Sequence, residues 1–423
     1  MASRTVPISD FCSFEKGLSY KGKHLDEDGP LLLGIGTINE GGGFKTQKLR
    51  TYGGPYKTQH IVEAGDVYVA MTNMAEETSK FLGSAARLPA SLVGTGIITH
   101  HVCKVKWKTN DPVMQDFLYW IMRSDYFLSH CRNFGSGTTV YSTRAKDAER
   151  FEVPAKLNSN QITLTKLLNS ISKLEEGLEA KSELIQSKME CLFRSWFMDF
   201  DPVKAKAEGK LPYGMDEETA ALFPDSFKNS EIGLIPTGWS VSTIHDISKQ
   251  RKDIVKPDEF NHLLPYIGLQ HMPRKSIALT EWGNSVDVVS NKFRFSKKDI
   301  LFGKLRPYFH KVGPAPLDGV CSTDILVIQP IDEKLGGFLI PILSSEHFVN
   351  FVSGISEGVG LPRTKWAHFK LYKFALPPVE IREKFSLIVD LMLHNIDSFI
   401  DESKALDQMR NSLLKGLMSR EKL

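Results

Sequence analysis

Cysteine is scarce. Five residues (Cys12, Cys103, Cys131, Cys191 and Cys321) are scattered through 423 positions, an odd count with no C-x-x-C spacing. This argues against both a disulfide framework and a zinc cage, and a reducing cytoplasm is the expected compartment. No stretch approaches the roughly 18 apolar residues needed to cross a bilayer. The opening residues Met1 to Pro7 lack the apolar core of a secretory signal, so neither a membrane partner nor export is expected. An excess of one charge is missing as well. Fifty-three basic residues against 50 acidic ones leave +3, so any basic binding face must come from local clustering. What remains is ordinary globular composition in a chain too long for one core, for which two domains are expected.

Catalytic signatures are also wanting. A phosphate loop, a metal-ligand set or a nucleophile with its base would show as spacing. No G-x-x-x-x-G-K-[ST] sequence occurs, and Gly34-Ile35-Gly36 followed by Gly41-Gly42-Gly43 lacks the spacing and the following helix of a nucleotide-binding turn. His100-His101, the sole adjacent histidine pair, reads as part of a strand, where neighbouring side chains leave on opposite faces and suit a metal poorly. The Asn/Asp-Pro-Pro-aromatic loop with which DNA amino-methyltransferases hold their target base is absent. Glu179-Ala180-Lys181 has a nuclease-like look but falls on the charged face of a heptad helix. The chain is expected to be non-catalytic and without a metal site.

What is there is a duplication. Leu164, Ile171, Leu178, Ile185 and Leu192 recur every seven residues, with Leu167, Leu168, Leu174, Met189 and Trp196 widening the stripe. The spacing predicts a coiled-coil helix. It returns at Phe385, Met392, Phe399, Leu406 and Leu413, flanked by Val389, Ile396, Met409 and Leu417, and Leu164 and Phe385 stand 221 positions apart. The same offset carries Phe117-Leu118-Tyr119-Trp120-Ile121 onto Phe338-Leu339-Ile340-Pro341-Ile342, and Thr143 onto Thr364. Phe151-Glu152-Val153-Pro154 answers Phe374-Ala375-Leu376-Pro377 after a two-residue slip, and Gly65 to Val69 answers Lys298 to Phe302 after a larger one. Slips of this kind are what surface-loop insertions produce. Each helix, about 35 residues or roughly 50 Å long, exceeds what one module covers, so the two are expected to pair with each other. The expected fold class is α+β: two similar α/β modules separated by two long antiparallel coiled-coil helices, an internal pseudo-twofold repeat.

Matched loops supply polar chemistry. Duplex recognition needs cations for phosphate and planar donors for base edges, mounted on turns that allow close approach. In the second half Lys304, Arg306 and Tyr308 follow a strand at Ile300 to Phe302, and Arg363, Lys365 and Trp366 follow Gly354, Gly358 and Gly360. The first half carries Thr138, Thr139, Tyr141, Arg144 and Lys146 in the corresponding glycine-bearing stretch. These eleven residues are the candidate DNA contacts. Solvated surface charge, and aromatic packing for Tyr141, Tyr308 and Trp366, is the alternative.

Three further segments complete the pattern: Ser195-Trp196-Phe197-Met198-Asp199-Phe200-Asp201-Pro202, then Leu222-Phe223-Pro224-Asp225-Ser226-Phe227, then Ile235-Pro236-Thr237-Gly238-Trp239. With Leu376-Pro377-Pro378-Val379-Glu380 entering the last helix, their order resembles the specificity (S) subunit of type I restriction-modification enzymes over nearly the whole chain. The resemblance implies two target-recognition domains, at residues 1–155 and 236–377, each reading half of a bipartite target in double-stranded DNA. It implies conserved helices at 156–198 and 378–423, joined by an extended connector at 199–235. The partner-helix positions are Leu164, Ile171, Leu178, Ile185 and Leu192 with Phe385, Met392, Phe399, Leu406 and Leu413. The implied partners are two modification subunits, which bind S-adenosylmethionine, and restriction subunits, which use ATP and Mg²⁺. No cofactor is then expected in this chain. A coiled-coil scaffold that binds only protein is the alternative, favoured by the near-neutral charge, and a fused enzyme ranks last.

Overall fold

The structure, a computed structural model, describes residues 4–46, 49–74, 81–90, 92, 94–137, 140–259, 264–285, 289–358 and 360–417. The chain forms two compact units, Met1–Glu176 with Lys404–Leu423, and Gly177–Ser403.

In the first unit an antiparallel sheet runs in the order Cys12–Lys16, Val102–Trp107, Val67–Ala70, Ala85–Arg87. A smaller sheet sets Leu31–Leu33 parallel, and Ile61–Val62 antiparallel, to Gly96–Ile98. The strand Val67–Ala70 is buried on both faces. Val67 and Val69 join a core with the helices Pro112–Met122 and Asp125–Asn133, while Tyr68 and Ala70 join a second core with Leu33, Val62 and Ile98. Period-two alternation thus builds two apolar layers from one strand. Pro112 at the first helical position, with Asp111 accepting from the Val113 N–H, starts one helix, and Ser124 caps the next.

The second unit repeats this plan. Its sheet order is Ser248–Arg251, Ile325–Pro330, Ile300–Gly303, Val312–Pro314, all antiparallel. Ile300 and Phe302 face the helix-side core, and Leu301 faces the other. Pro265–Ile267 lies parallel to Gly319–Cys321, as Leu31–Leu33 does to Gly96–Ile98. Ser345 caps Glu346–Gly354 as Ser124 caps Asp125–Asn133. Phe127 packs edge-on against Phe151, and Phe348 packs in the same way against Tyr372. Phe151 therefore answers Tyr372 at the unshifted offset of 221, without the expected slip before Phe374.

Two helices of 39 residues, Ser159–Phe197 and Val379–Leu417, are shared between the units. In the first unit Glu175 meets Arg410 at 2.6 Å while Leu164 lies beside Gly416, an antiparallel course. In the second, Lys181 lies over Phe399, and Phe193, Trp196 and Phe197 surround Phe385 at 6.2, 5.5 and 4.7 Å, again antiparallel. Ile171, Leu178 and Phe385 are buried, and Leu164, Ile185, Leu192, Met392, Phe399, Leu406 and Leu413 are half-buried. The stripe differs from expectation in its second row. Leu167, Leu174 and Met409 are 47%, 57% and 55% exposed. The row at 168, 175, 182, 189 and 196 takes its place, alternating intervals of four and three with the first and including Glu175 and Ser182, while Ser403 and Arg410 sit at the matching places of the other helix. A count of apolar residues misses polar members of a seam.

Residues 199–235 do not run extended. They fold into the helices Asp201–Ala207 and Glu217–Ala221 and the hairpin Phe227–Ser230 with Gly233–Pro236. Val203, Phe223, Ile235 and Trp239 enter the core of the second unit, where Trp239 lies 6.0 Å from Phe197 and 5.6 Å from Phe200. The aromatic residues that carried the family resemblance are one packed cluster. Among the described residues no single helix is long and apolar enough to cross a membrane.

Candidate nucleic-acid interface

The two basic stretches of the second unit are joined through the backbone. Leu305 bridges Arg363, the Arg306 N–H donates to Pro362 O at 2.7 Å, and the Thr364 N–H donates to Lys304 O at 3.0 Å. Lys304 leaves the strand Ile300–Gly303 half-buried, 5.8 Å from the Phe293 ring. Desolvation pushes its ammonium below the ordinary value while nearby Asp324 pulls the other way. Asp324 also receives Arg363, Nε to Oδ1 3.4 Å. Arg306 adopts φ 50° and donates from Nη2 to Gly360 O, and its buried Nε has no partner. Lys365 pairs with Glu357 at 2.5 Å, which holds that carboxyl below its usual range. Lys304, Arg306, Arg363 and Lys365 thus share one loop frame, interleaved with Asp324 and Glu357. Tyr308 is half-exposed, edge-on to Phe309. Trp366 instead stacks on His245 at 4.5 Å, and its carbonyl accepts from the His245 ring at 3.0 Å, so it anchors the loop.

In the first unit, Val140–Ser142 pairs with Thr72–Met74. Thr138 and Thr139 lie outside the described residues. Tyr141 packs over Gly135 and its hydroxyl donates to Arg132 O at 3.2 Å, an anchoring role. Arg144, 85% exposed, and Arg150 both reach the buried carboxylate of Asp147, at 2.7 and 3.3 Å, and Lys146 is exposed beside them.

The same backbone bonds hold the frame in each unit. The Met71 N–H donates to His101 O at 3.0 Å, and the Lys304 N–H to Asp324 O at 2.8 Å. The Thr143 N–H donates to Met71 O as that of Thr364 does to Lys304 O, and Ser136–Ser142 bridges as Glu357–Arg363 does. Each frame includes a tight turn. The Val102 N–H donates to Thr99 O at 3.0 Å, and the Ile325 N–H to Ser322 O at 2.9 Å.

That turn corrects the strand reading of His100-His101. Both residues lie in it between Gly96–Ile98 and Val102–Trp107, and their rings approach to 3.9 Å on one side instead of leaving on opposite faces. His101 Nδ1 meets Thr72 Oγ1 at 2.8 Å, and burial lowers its pKa. Sequence reasoning passed over this turn because it contains no glycine, proline or asparagine to mark it. Gly42 and Gly43 wrap Arg123, whose Nη2 donates to Gly42 O at 3.1 Å, and a Cβ on Gly42 would sit 2.8 Å from Ala85 O. This glycine stretch serves packing. Four cysteines, Cys12, Cys103, Cys131 and Cys321, are buried, and desolvation pushes each thiol up to about 12, which suppresses the reactive thiolate. Among the described residues no group of three or more His, Cys, Asp or Glu is placed to hold a metal ion.

Two α+β units of like topology, each carrying a polar loop frame and sharing a pair of long helices, define the class of this protein. No protein-family model matches the chain. It is 22% identical over 324 residues to the specificity subunit of the type I restriction enzyme EcoDI from Escherichia coli, spanning 73% of this chain and 70% of that protein. It is 21% identical over 318 residues to the MjaIX specificity subunit from Methanocaldococcus jannaschii, spanning 73% and 69%. A solved S subunit of a type I restriction-modification system from M. genitalium shares the fold, with TM-score 0.53 at 15% identity over 99% of this chain and 96% of that one. The chain is thus similar to type I specificity subunits over most of its length, in sequence and in fold.

Proposed function

We propose that this chain is the DNA-recognition subunit of a type I restriction-modification complex, non-catalytic in itself. Each unit reads one half of a bipartite duplex target, with residues 1–155 and 236–377 as the target-recognition domains. The helices Ser159–Phe197 and Val379–Leu417 set the unread spacer between half-sites. The observation that carries this reading is one loop frame built twice with different side chains: Met71, Ser136, Ser142 and Arg144 in one unit, Lys304, Glu357, Arg363 and Lys365 in the other. A repeated scaffold with unlike side chains suits two unlike half-sites.

Methyl transfer and cleavage belong to partners: two modification subunits with S-adenosylmethionine, and restriction subunits with ATP and Mg²⁺. The long helices offer docking surface. Leu167 and Leu174, seven residues apart, stay exposed on one helix, and Leu387 and Leu391 are 62% and 68% exposed on the other. Apolar side chains left in solvent at helical spacing suit a partner's face. Mapping methylated adenines by single-molecule sequencing, with and without this gene, tests the reading. One bipartite motif disappears with the gene if the reading is right, and the pattern is unchanged if it is wrong.

A further inference from the structure

Because the two loop frames share their backbone bonds, any difference between the half-sites must arise from side chains mounted at corresponding places. The turn is where they diverge most in kind. The first unit places His100 and His101 there, and the second places Thr323 and Asp324, the latter engaging Lys304 and Arg363. The first unit has Met71 and Ser142 at the places of Lys304 and Arg363, so neither of these places carries a cation there.

The two imidazoles supply a different set. Each neutral ring offers one donor and one acceptor. His101 is oriented by Thr72, which pairs across the strands with Ser142 in the glycine-bearing loop. The backbone N–H of His100 is spent on Leu18 O at 2.8 Å, but its buried ring Nδ1 has no partner. That atom is shielded from solvent, so the ring can meet a base only through its Nε2 side. Both side chains are half-buried, with Tyr20 6.4 Å from His100, so neither is sealed in the core.

We propose that His100 and His101 read base edges of the first half-site in duplex DNA, from the turn that Thr323 and Asp324 occupy in the second unit. Purine edges in the major groove, with N7 as acceptor and adenine N6 as donor, match a paired donor and acceptor. The inference rests on the proposed role of the chain as a DNA reader and names the residues that give the first unit its selectivity.

The experiment uses the complete system, with adenine methylation mapped for the unaltered chain, the gene deletion, His100→Ser and His101→Asn. Co-purification with the modification subunits is confirmed first. His100→Ser breaks no side-chain hydrogen bond of the frame and decides the matter should His101→Asn fail to assemble. The expected result is relaxed or exchanged bases in one half-site, with discrimination there falling about tenfold, the other half and the spacer being unchanged. A motif unchanged in both halves, or an equal loss over both halves in an assembled complex, overturns the assignment. If deleting the gene itself leaves the pattern intact, the DNA-reader function fails, whereas a pattern that depends on the gene but ignores the variants sinks only the histidines.

Discussion

The two units solve one packing problem with different materials. The second surrounds Phe385 with Phe193, Trp196, Phe197 and Phe338, an aromatic cluster that also takes in Phe223 and Trp239. The first closes its stretch of the same helix pair with Leu168, Leu414 and Leu417 and a polar contact, Arg410 on Glu175, beside Arg123, which lies over Trp120 at 4.9 Å. The contrast teaches that the backbone plan is duplicated while its stabilising chemistry is not. Apolar burial dominates one seam, and the other carries a mostly buried ion pair, a kind of contact that can specify helix alignment.

The largest expected effect follows from the aromatic seam. Phe385→Ala should destabilise the second unit by about 3–5 kcal/mol, the range for emptying a fully buried aromatic site, seen as a shift of one transition in chemical denaturation. A shift of both transitions together would show that the units unfold as one. Next is Arg410→Ala, which strands Glu175 in a partly buried seam. The side chains are 15% and 19% exposed, so the loss should be on the order of 2–3 kcal/mol, below the figure for a fully buried pair. Replacing both residues with leucine should restore much of that stability while loosening register. No restoration would mean that the pair contributes more than alignment.

Acidification should act on both units. His60 and His101 in the first unit, and His271 and His310 in the second, all have pKa values lowered from 6.5, foremost by burial. The unfolded chain therefore takes up protons first as pH falls. Stability is fully present above about pH 6.5 and declines as pH drops through that value toward the lowered folded-state values. Melting temperatures at pH 7.5 and 5.5 should show this decline, and His310→Asn should flatten it, since His310 Nε2 is tied to Ser344 O at 2.7 Å in the buried state. The smallest stability effects belong to the interface cations. Lys365→Ala removes an exposed pair and should leave stability nearly unchanged, whereas Arg144→Ala takes one of two arginines from the buried Asp147 carboxylate and should cost about 1 kcal/mol. Each should weaken DNA binding. The loss is confined to one half-site where the residue reads bases, and is independent of sequence, with a salt slope shallower by about one, where it holds phosphate. Unaltered binding across a salt series would remove that residue from the interface.

The helices, the 221-residue offset and the family likeness were legible because apolar period and aromatic spacing survive in the sequence. Four things were not. Glu175 and Arg410 occupy seam positions, but polar residues do not register in an apolar count. Residues 199–235 are rich in proline and glycine, yet Phe223, Ile235 and Trp239 tie them into the core, a tertiary effect that composition does not carry. The His100–His101 turn has no turn-forming residue, and its kinship with Thr323–Asp324 shows only in matched backbone bonds. Among the cations, sequence placed Lys304 and Arg363 in separate stretches, and the Leu305–Arg363 bridge joins them.

If two readers share one spacer, the length of the paired helices sets the gap between half-sites. Removing one heptad from each of Ser159–Phe197 and Val379–Leu417 and mapping adenine methylation tests it most directly. Both half-sites should stay unchanged while the gap between them alters, and an unchanged gap in an assembled, active complex would rule out a shared spacer.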